Sequence, residues 1–120
     1  FTAALKGTDI SIYGDGSQTR TFCFIDDNID ACVNAFCKTL YVNDVVNIGN
    51  DAEITILDLA KKIIAFTGSS SRPVHVPALE EGDMSRRKPD VTRMKNLLGR
   101  EFTSLEQGMK KLMENPLSLL

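Results

Sequence analysis

Hydrophobic positions along this chain recur with two different spacings, and the switch between them marks out the elements. Phe1 to Lys6 before Gly7 reads as the last two turns of a helix stopped at glycine. Asp9-Ile10-Ser11-Ile12-Tyr13 alternates as a strand does, and Gly14-Asp15-Gly16 closes it with a turn. Thr21-Phe22-Cys23-Phe24-Ile25 is a second β-prone run. Asp26 and Asp27 then offer an N-cap, with Asp30 as a third carboxylate in the first helical turn. Beyond them Ile29, Cys32, Val33, Phe36, Cys37 and Leu40 recur at three and four, one apolar stripe of an amphipathic helix.

Asp44-Val45-Val46-Asn47-Ile48-Gly49 predicts a buried-type strand ending at glycine. Thr55 with Asp58 forms a capping-box variant for a helix striped by Ile56, Leu59, Ala60, Ile63 and Ile64 and stopped at Gly68. Ser69-Ser70-Ser71 is a polar linker, Pro73-Val74-His75-Val76 a strand, and Ala78 to Lys88 a charged loop. Asp90 caps a short helix carrying Val91, Met94, Leu97 and Leu98, which Gly99 ends. Ser104 and Gln107 box the start of a last helix, with Leu105, Met109, Leu112 and Met113 on its stripe. The order predicts an α/β fold, a small mixed sheet with helices packed on it.

Composition narrows the class without naming a function. A chain of 120 residues, 42% hydrophobic and 25% charged, is of single-domain size and ordinary globular make-up, which excludes disordered, collagen-like and disulfide-scaffold classes. A net charge of −2 gives no reason to expect nucleic acid or an anionic membrane as partner. The apolar runs are far shorter than a membrane-spanning helix requires. Cys23, Cys32 and Cys37 are odd in number and contain no Cys-x-x-Cys, and the single His75 is distant, so no metal site is expected. They read as reduced, mostly buried thiols of a cytoplasmic protein. His75, in an apolar strand, reads as a structural residue. With neither an initiator Met nor a leader, the chain is expected to begin part-way through a longer protein.

Two segments carry candidate chemistry. In Tyr13-Gly14-Asp15-Gly16-Ser17-Gln18-Thr19-Arg20, two glycines let backbone amides approach a ligand, and a guanidinium follows that can fork onto phosphate oxygens. On the residues alone the signal is weak, and a connecting turn between strands with an Arg on its flank is the favoured explanation of the segment. Gly82-Asp83-Met84-Ser85-Arg86-Arg87-Lys88-Pro89-Asp90 places three cations together, either as a diphosphate site or as a solvated run balanced by Glu80, Glu81 and Asp83.

Together these segments match one family. Ile12–Asp27, Val46–Asn50, Ile56–Ala60, Arg87–Asp90 (an Arg-x-Pro-Asp), Leu98–Gly99 and Ser104–Gly108 resemble, in order, the C-terminal part of extended short-chain dehydrogenases/reductases acting on nucleotide sugars. Within them the chain is most similar to UDP-glucuronate decarboxylases, with dTDP-glucose 4,6-dehydratases and UDP-sugar 4-epimerases nearby. The resemblance implies that the whole chain, 1–120, is a nucleotide-sugar substrate-binding domain. Arg20 and Arg87 would contact the diphosphate, Tyr13 the base, and Gln18 would neighbour the ligand. It further implies a parent enzyme that oxidises the sugar at C4 with NAD, loses carbon dioxide or water, and returns the hydride.

Two departures qualify the match. Glu80 stands where epimerase-type members carry Arg, which favours the decarboxylase pattern, and Arg100 replaces the Trp usual after Leu-Gly, which bears on packing. The glycine-rich dinucleotide turn and the Tyr-x-x-x-Lys pair do not occur in the sequence. No catalytic residue and no bound cofactor are therefore expected of this chain. An absent Rossmann half is its expected partner, and self-association through uncovered apolar surface is expected without it.

Overall fold

The computed structural model describes residues 1–79 and 84–115. In chain order the elements are α1 (Thr2–Leu5), β1 (Ile10–Tyr13), β2 (Thr19–Thr21), α2 (Ile25–Cys37), β3 (Glu53–Thr55), α3 (Ile56–Thr67), β4 (Pro73–Val76), α4 (Thr92–Leu98) and α5 (Leu105–Glu114). β1 pairs in parallel with β4, and β2 pairs with β3. The chain forms two compact units. The first holds the described residues of Phe1–Arg20 and Ile54–Arg87, the second those of Thr21–Glu53 and Lys88–Glu114.

In the first unit, alternation along β1 turns Ile12 inward to full burial and leaves Ser11 and Tyr13 exposed. The capping box forms: Thr55 Oγ1 accepts from Asp58 N–H at 3.0 Å and donates to the Asp58 carboxylate at 2.7 Å. Gly68 ends α3 in the left-handed conformation at φ +63°. The serines following it do more than link. Ser69 Oγ donates to the Ala4 carbonyl at 2.6 Å and lies 2.9 Å from the Oγ of buried Ser71, so this segment satisfies the carbonyl end of α1.

In the second unit, Ala31, Val91, Met94 and Leu97 form the core, with Cys23, Ala35, Val46, Ile48 and Phe102 packed around it. Four expectations change between Thr19 and Cys37. The second strand lies earlier, at Thr19–Thr21, and α2 begins at Ile25 with no side-chain cap, so Asp26 and Asp27 sit inside its first turn and Asp30 beyond it. The apolar stripe of α2 faces out: Ile29 and Val33 are each 53% exposed and Phe36 87%. Cys32 and Cys37 are exposed too, against the expectation of buried thiols. The helix buries its small-residue side instead, because Ala31 and Ala35 allow close approach to α4. Only Cys23 is half-buried; burial and the Asp27 carboxylate push its thiol upward from the ordinary value.

The Asp44–Gly49 strand does not form. Val46 and Ile48 turn toward the core while Val45 is 76% exposed, so the period-two pattern is present without a strand partner among the described residues. Asp90 sits one residue before the N-cap Val91 and holds the start of α4 by accepting from Thr92 N–H (2.9 Å) and Oγ1–H (2.7 Å). α5 opens with its predicted box, Ser104 N–H to Gln107 Oε1 at 2.9 Å and Gln107 N–H to Ser104 Oγ at 3.2 Å. Among the described residues no helix is long and apolar enough to cross a membrane, and no cluster of His, Cys, Asp and Glu could hold a metal.

Asp27 is the fully buried charge of this unit. Its carboxylate accepts from Thr103 N–H and Oγ1–H, both at 2.8 Å, and from Arg100 Nη1 at 2.7 Å. Arg100, standing where the resembled family has Trp, also reaches Asp30 at 2.6 Å. Burial works to raise the Asp27 pKa, but the Thr103 and Arg100 bonds outweigh it and hold the carboxyl below its ordinary value. Its folded pKa lies under its unfolded one, so the stabilisation is present above the unfolded carboxylate range and is lost as pH falls through and below it. Asp27→Asn is expected to lower stability at pH 7 by about 2 kcal/mol. Urea melts should show the gap to wild type closing as pH drops from about 5 toward 3.

Candidate functional site

The first unit carries a cavity of about 220 Å³ lined by Ser11, Tyr13, Gln18, Arg20, Ile56 and Leu79. Its position follows from the turn between β1 and β2. Gly14 and Gly16 take φ of +67° and +75°, a region closed to most side chains, and this lets the chain reverse tightly after Tyr13. The start of α3 then grips the turn: Leu57 N–H donates to the Gly16 carbonyl and Ile56 N–H to the Gln18 carbonyl, each at 3.1 Å. These are N-terminal helix donors that have no partner within the helix. The Asp15 carboxylate accepts from Ser17 N–H (2.9 Å) and Oγ–H (2.7 Å), which holds its pKa below the ordinary value.

Three of the four residues singled out in the sequence meet at this cavity. Gln18 is half-buried, and its Nε2 donates to the Tyr13 carbonyl at 3.0 Å, tying the two ends of the turn together. Tyr13 keeps half its surface open to solvent. Arg20, half-buried on β2, donates through Nη1 to the Thr19 and Met84 carbonyls, both at 2.7 Å, so its guanidinium is held in place by backbone. Arg87 does not line the cavity and is exposed. The chain leading to it runs beside β2, where Thr19 N–H donates to the Ser85 carbonyl at 2.9 Å and Thr19 bridges Arg86. Glu80, Glu81, Gly82 and Asp83 lie outside the described residues.

Ser11, Ile56 and Leu79 escaped the sequence reading. Ser11 was recoverable, since a period of two puts it on the same face of β1 as Tyr13. Ile56 and Leu79 come from chain more than thirty residues away, and no local pattern announces them. The wall is a phenol ring and two aliphatic side chains, with an amide and a fixed cation at one end. That arrangement suits a flat ring joined to an anionic group.

The NAD dependent epimerase/dehydratase family model matches residues 1–49. UDP-N-acetyl-alpha-D-glucosaminuronate decarboxylase of Bacillus cytotoxicus is 38% identical over 122 residues, 93% of this chain and 36% of that protein. UDP-glucuronic acid decarboxylase 1 of Danio rerio is 36% identical over 92% of this chain and 26% of its own length. The chain belongs to the NAD-dependent epimerase/dehydratase family. Its backbone agrees: the UDP-glucuronic acid 4-epimerase of Bacillus cereus, solved with UDP-glucuronic acid and NAD, superposes with a TM-score of 0.83 at 27% identity. That match covers 99% of this chain and 38% of the epimerase. The fold is thus that of the extended short-chain dehydrogenases/reductases, and the chain spans about a third of the length of the relatives it matches.

The turn has no room for change at its second glycine. A Cβ at residue 16 would stand 2.8 Å from Ile12 Cγ2 and 2.9 Å from Leu57 Cβ, whereas one at Gly68 would meet nothing within 4 Å. Both have positive φ, so both alanine variants carry the left-handed penalty, but only one adds a clash. Gly16→Ala is expected to cost about 2–4 kcal/mol and Gly68→Ala about 1 kcal/mol. Thermal melts of the two variants side by side check the difference.

Proposed function

We propose that this chain, 1–120, is the substrate-binding part of an NAD-dependent nucleotide-sugar lyase, most like a UDP-glucuronate decarboxylase. The observation that carries the reading is the meeting of Tyr13, Gln18 and Arg20 at one cavity of the first unit. In this reading Tyr13 packs against the base and Arg20 forks onto the diphosphate, with Gln18 fixing the turn between them. Arg87 supplies a second cation to the diphosphate from the chain that runs beside β2. The known complex of a relative with UDP-glucuronic acid and NAD supports a nucleoside-diphosphate sugar as ligand class. A dTDP-glucose 4,6-dehydratase or UDP-sugar 4-epimerase parent is the alternative within the family. A non-catalytic binding module is the alternative outside it.

NAD supplies hydride acceptance and return in such enzymes. The described residues do not fit it: the Gly14–Gly16 turn is filled on its inner side by Ile12 and Leu57, leaving no cradle for a dinucleotide pyrophosphate there. The proton-transfer pair is likewise not in the sequence, so we assign NAD and catalysis to an N-terminal Rossmann half that is this chain's partner. We place that parent in the cytoplasm, where the three free thiols would stay reduced. The outward stripe of α2, Ile25, Ile29, Val33 and Phe36, is the apolar surface such a partner would cover.

Titration of the chain with UDP is expected to give measurable heat and a raised melting temperature, with affinity weakened at least about tenfold by Arg20→Ala. No heat and no shift would overturn the site. UDP-glucuronate with NAD is expected to give no product; product formation would overturn the division of labour. Light scattering of the chain alone should detect species above 13.2 kDa that Phe36→Glu reduces to monomer.

A further inference from the structure

His75 reads in the sequence as a structural residue and lies outside the cavity lining, yet its ring reaches the carbonyl of Gly14 in the β1–β2 turn. In the β1–β4 register it stands opposite Ile12, and its Nδ1 lies 2.8 Å from the Gly14 carbonyl oxygen. A carbonyl only accepts, so Nδ1 carries the proton in this contact. The same glycine is held on its other side, where Gly14 N–H donates to the Val76 carbonyl at 2.9 Å.

What the contact does follows from glycine's freedom. Gly14 has φ +67°, and with no Cβ it is equally at ease on either side of the Ramachandran map. The direction of the carbonyl at Gly14 is therefore set less by the sterics of residue 14 than by what that carbonyl bonds. A hydrogen bond to the Gly14 carbonyl selects one orientation. That orientation is the one in which Gln18 Nε2 reaches the Tyr13 carbonyl and Gly16 lies under Leu57. We propose that His75 is a positioning residue for the nucleotide cavity, latching the β1–β2 turn through its Nδ1–H so that Tyr13, Gln18 and Arg20 face a common space. The inference rests on the reading of that cavity as a nucleoside-diphosphate site. Protonating Nε2 would leave the Nδ1–H in place, so the latch holds for the neutral and the charged ring alike.

Two measurements on the full chain test it separately. Nitrogen NMR of the imidazole reads the tautomer directly: the neutral ring is expected to carry its proton on Nδ1, and a predominantly Nε2–H ring would overturn the latch whether or not nucleotide binds. UDP titrations then read positioning. His75→Ala is expected to weaken UDP binding about 3- to 10-fold. His75→Asn, whose Nδ2–H takes the place of Nδ1–H, should recover affinity to within about twofold, while His75→Gln, with its donor one bond further out, should not. Equal affinity for wild type and His75→Ala, or equal losses in Ala and Asn, would overturn positioning. Wild type that fails to bind UDP would overturn the cavity reading and its positioning corollary, with the tautomer still deciding the latch.

Discussion

Between Ile12 and Leu57 there is space for the backbone of residue 16 and not for a side chain, and the cavity of the first unit is arranged around that approach. Because Gly16 passes so close to α3, the first two free N–H groups of that helix reach carbonyls of the turn and are satisfied there. Because the turn is held to α3, Gln18 returns close enough to bond the carbonyl of Tyr13, and β2 leaves with Arg20 beside the cavity. Burial of Ile12, a strand pairing and a helix terminus thus position the polar side chains of Gln18 and Arg20. A local backbone constraint sets the site, and the side chains at the site are consequences of it.

The second unit solves a different problem, the burial of a carboxylate. Asp27 is tolerated inside because each of its oxygens has a partner, two from Thr103 and one from Arg100. Arg100 keeps part of its guanidinium in solvent and spends its second nitrogen on Asp30, so one cation is fully desolvated at neither end. In the resembled family a Trp takes this place; here the guanidinium links Asp27 and Asp30. The cost of burial falls on Asp27 alone, and hydrogen bonds offset it.

How much of this was legible in the sequence depends on the range of the interaction. The Thr55–Asp58 and Ser104–Gln107 boxes and the glycine stops at 68 and 99 are fixed by neighbours within four residues and form as read, while the strands at Ile12 and Val74, legible from their alternation, are completed by pairing with each other. That Tyr13, Gln18 and Arg20 would border one cavity was legible because one turn holds them. Asp27 was misjudged as a cap because its partners lie more than seventy residues on, and an N-terminal aspartate has the same sequence context whether it caps or is buried. Ile56 and Leu79 were missed for the same reason.

Helix α2 shows a different limit. Periodicity reports that Ile29, Val33 and Phe36 share a face; it does not report which face is covered. Here the alanines opposite win contact with α4, since small side chains let two helices approach and long ones do not. The same holds for Asp44–Gly49, where alternation is visible in Val46 and Ile48 turning inward yet a strand needs a second backbone to pair with. Periodicity thus marks a shared face in both places without saying what lies against it. Apolar groups on such a surface gain their burial free energy only when something else excludes water from them, at roughly 25 cal/mol per Å². Among the described residues the outward face of α2 therefore contributes little of that free energy to the fold.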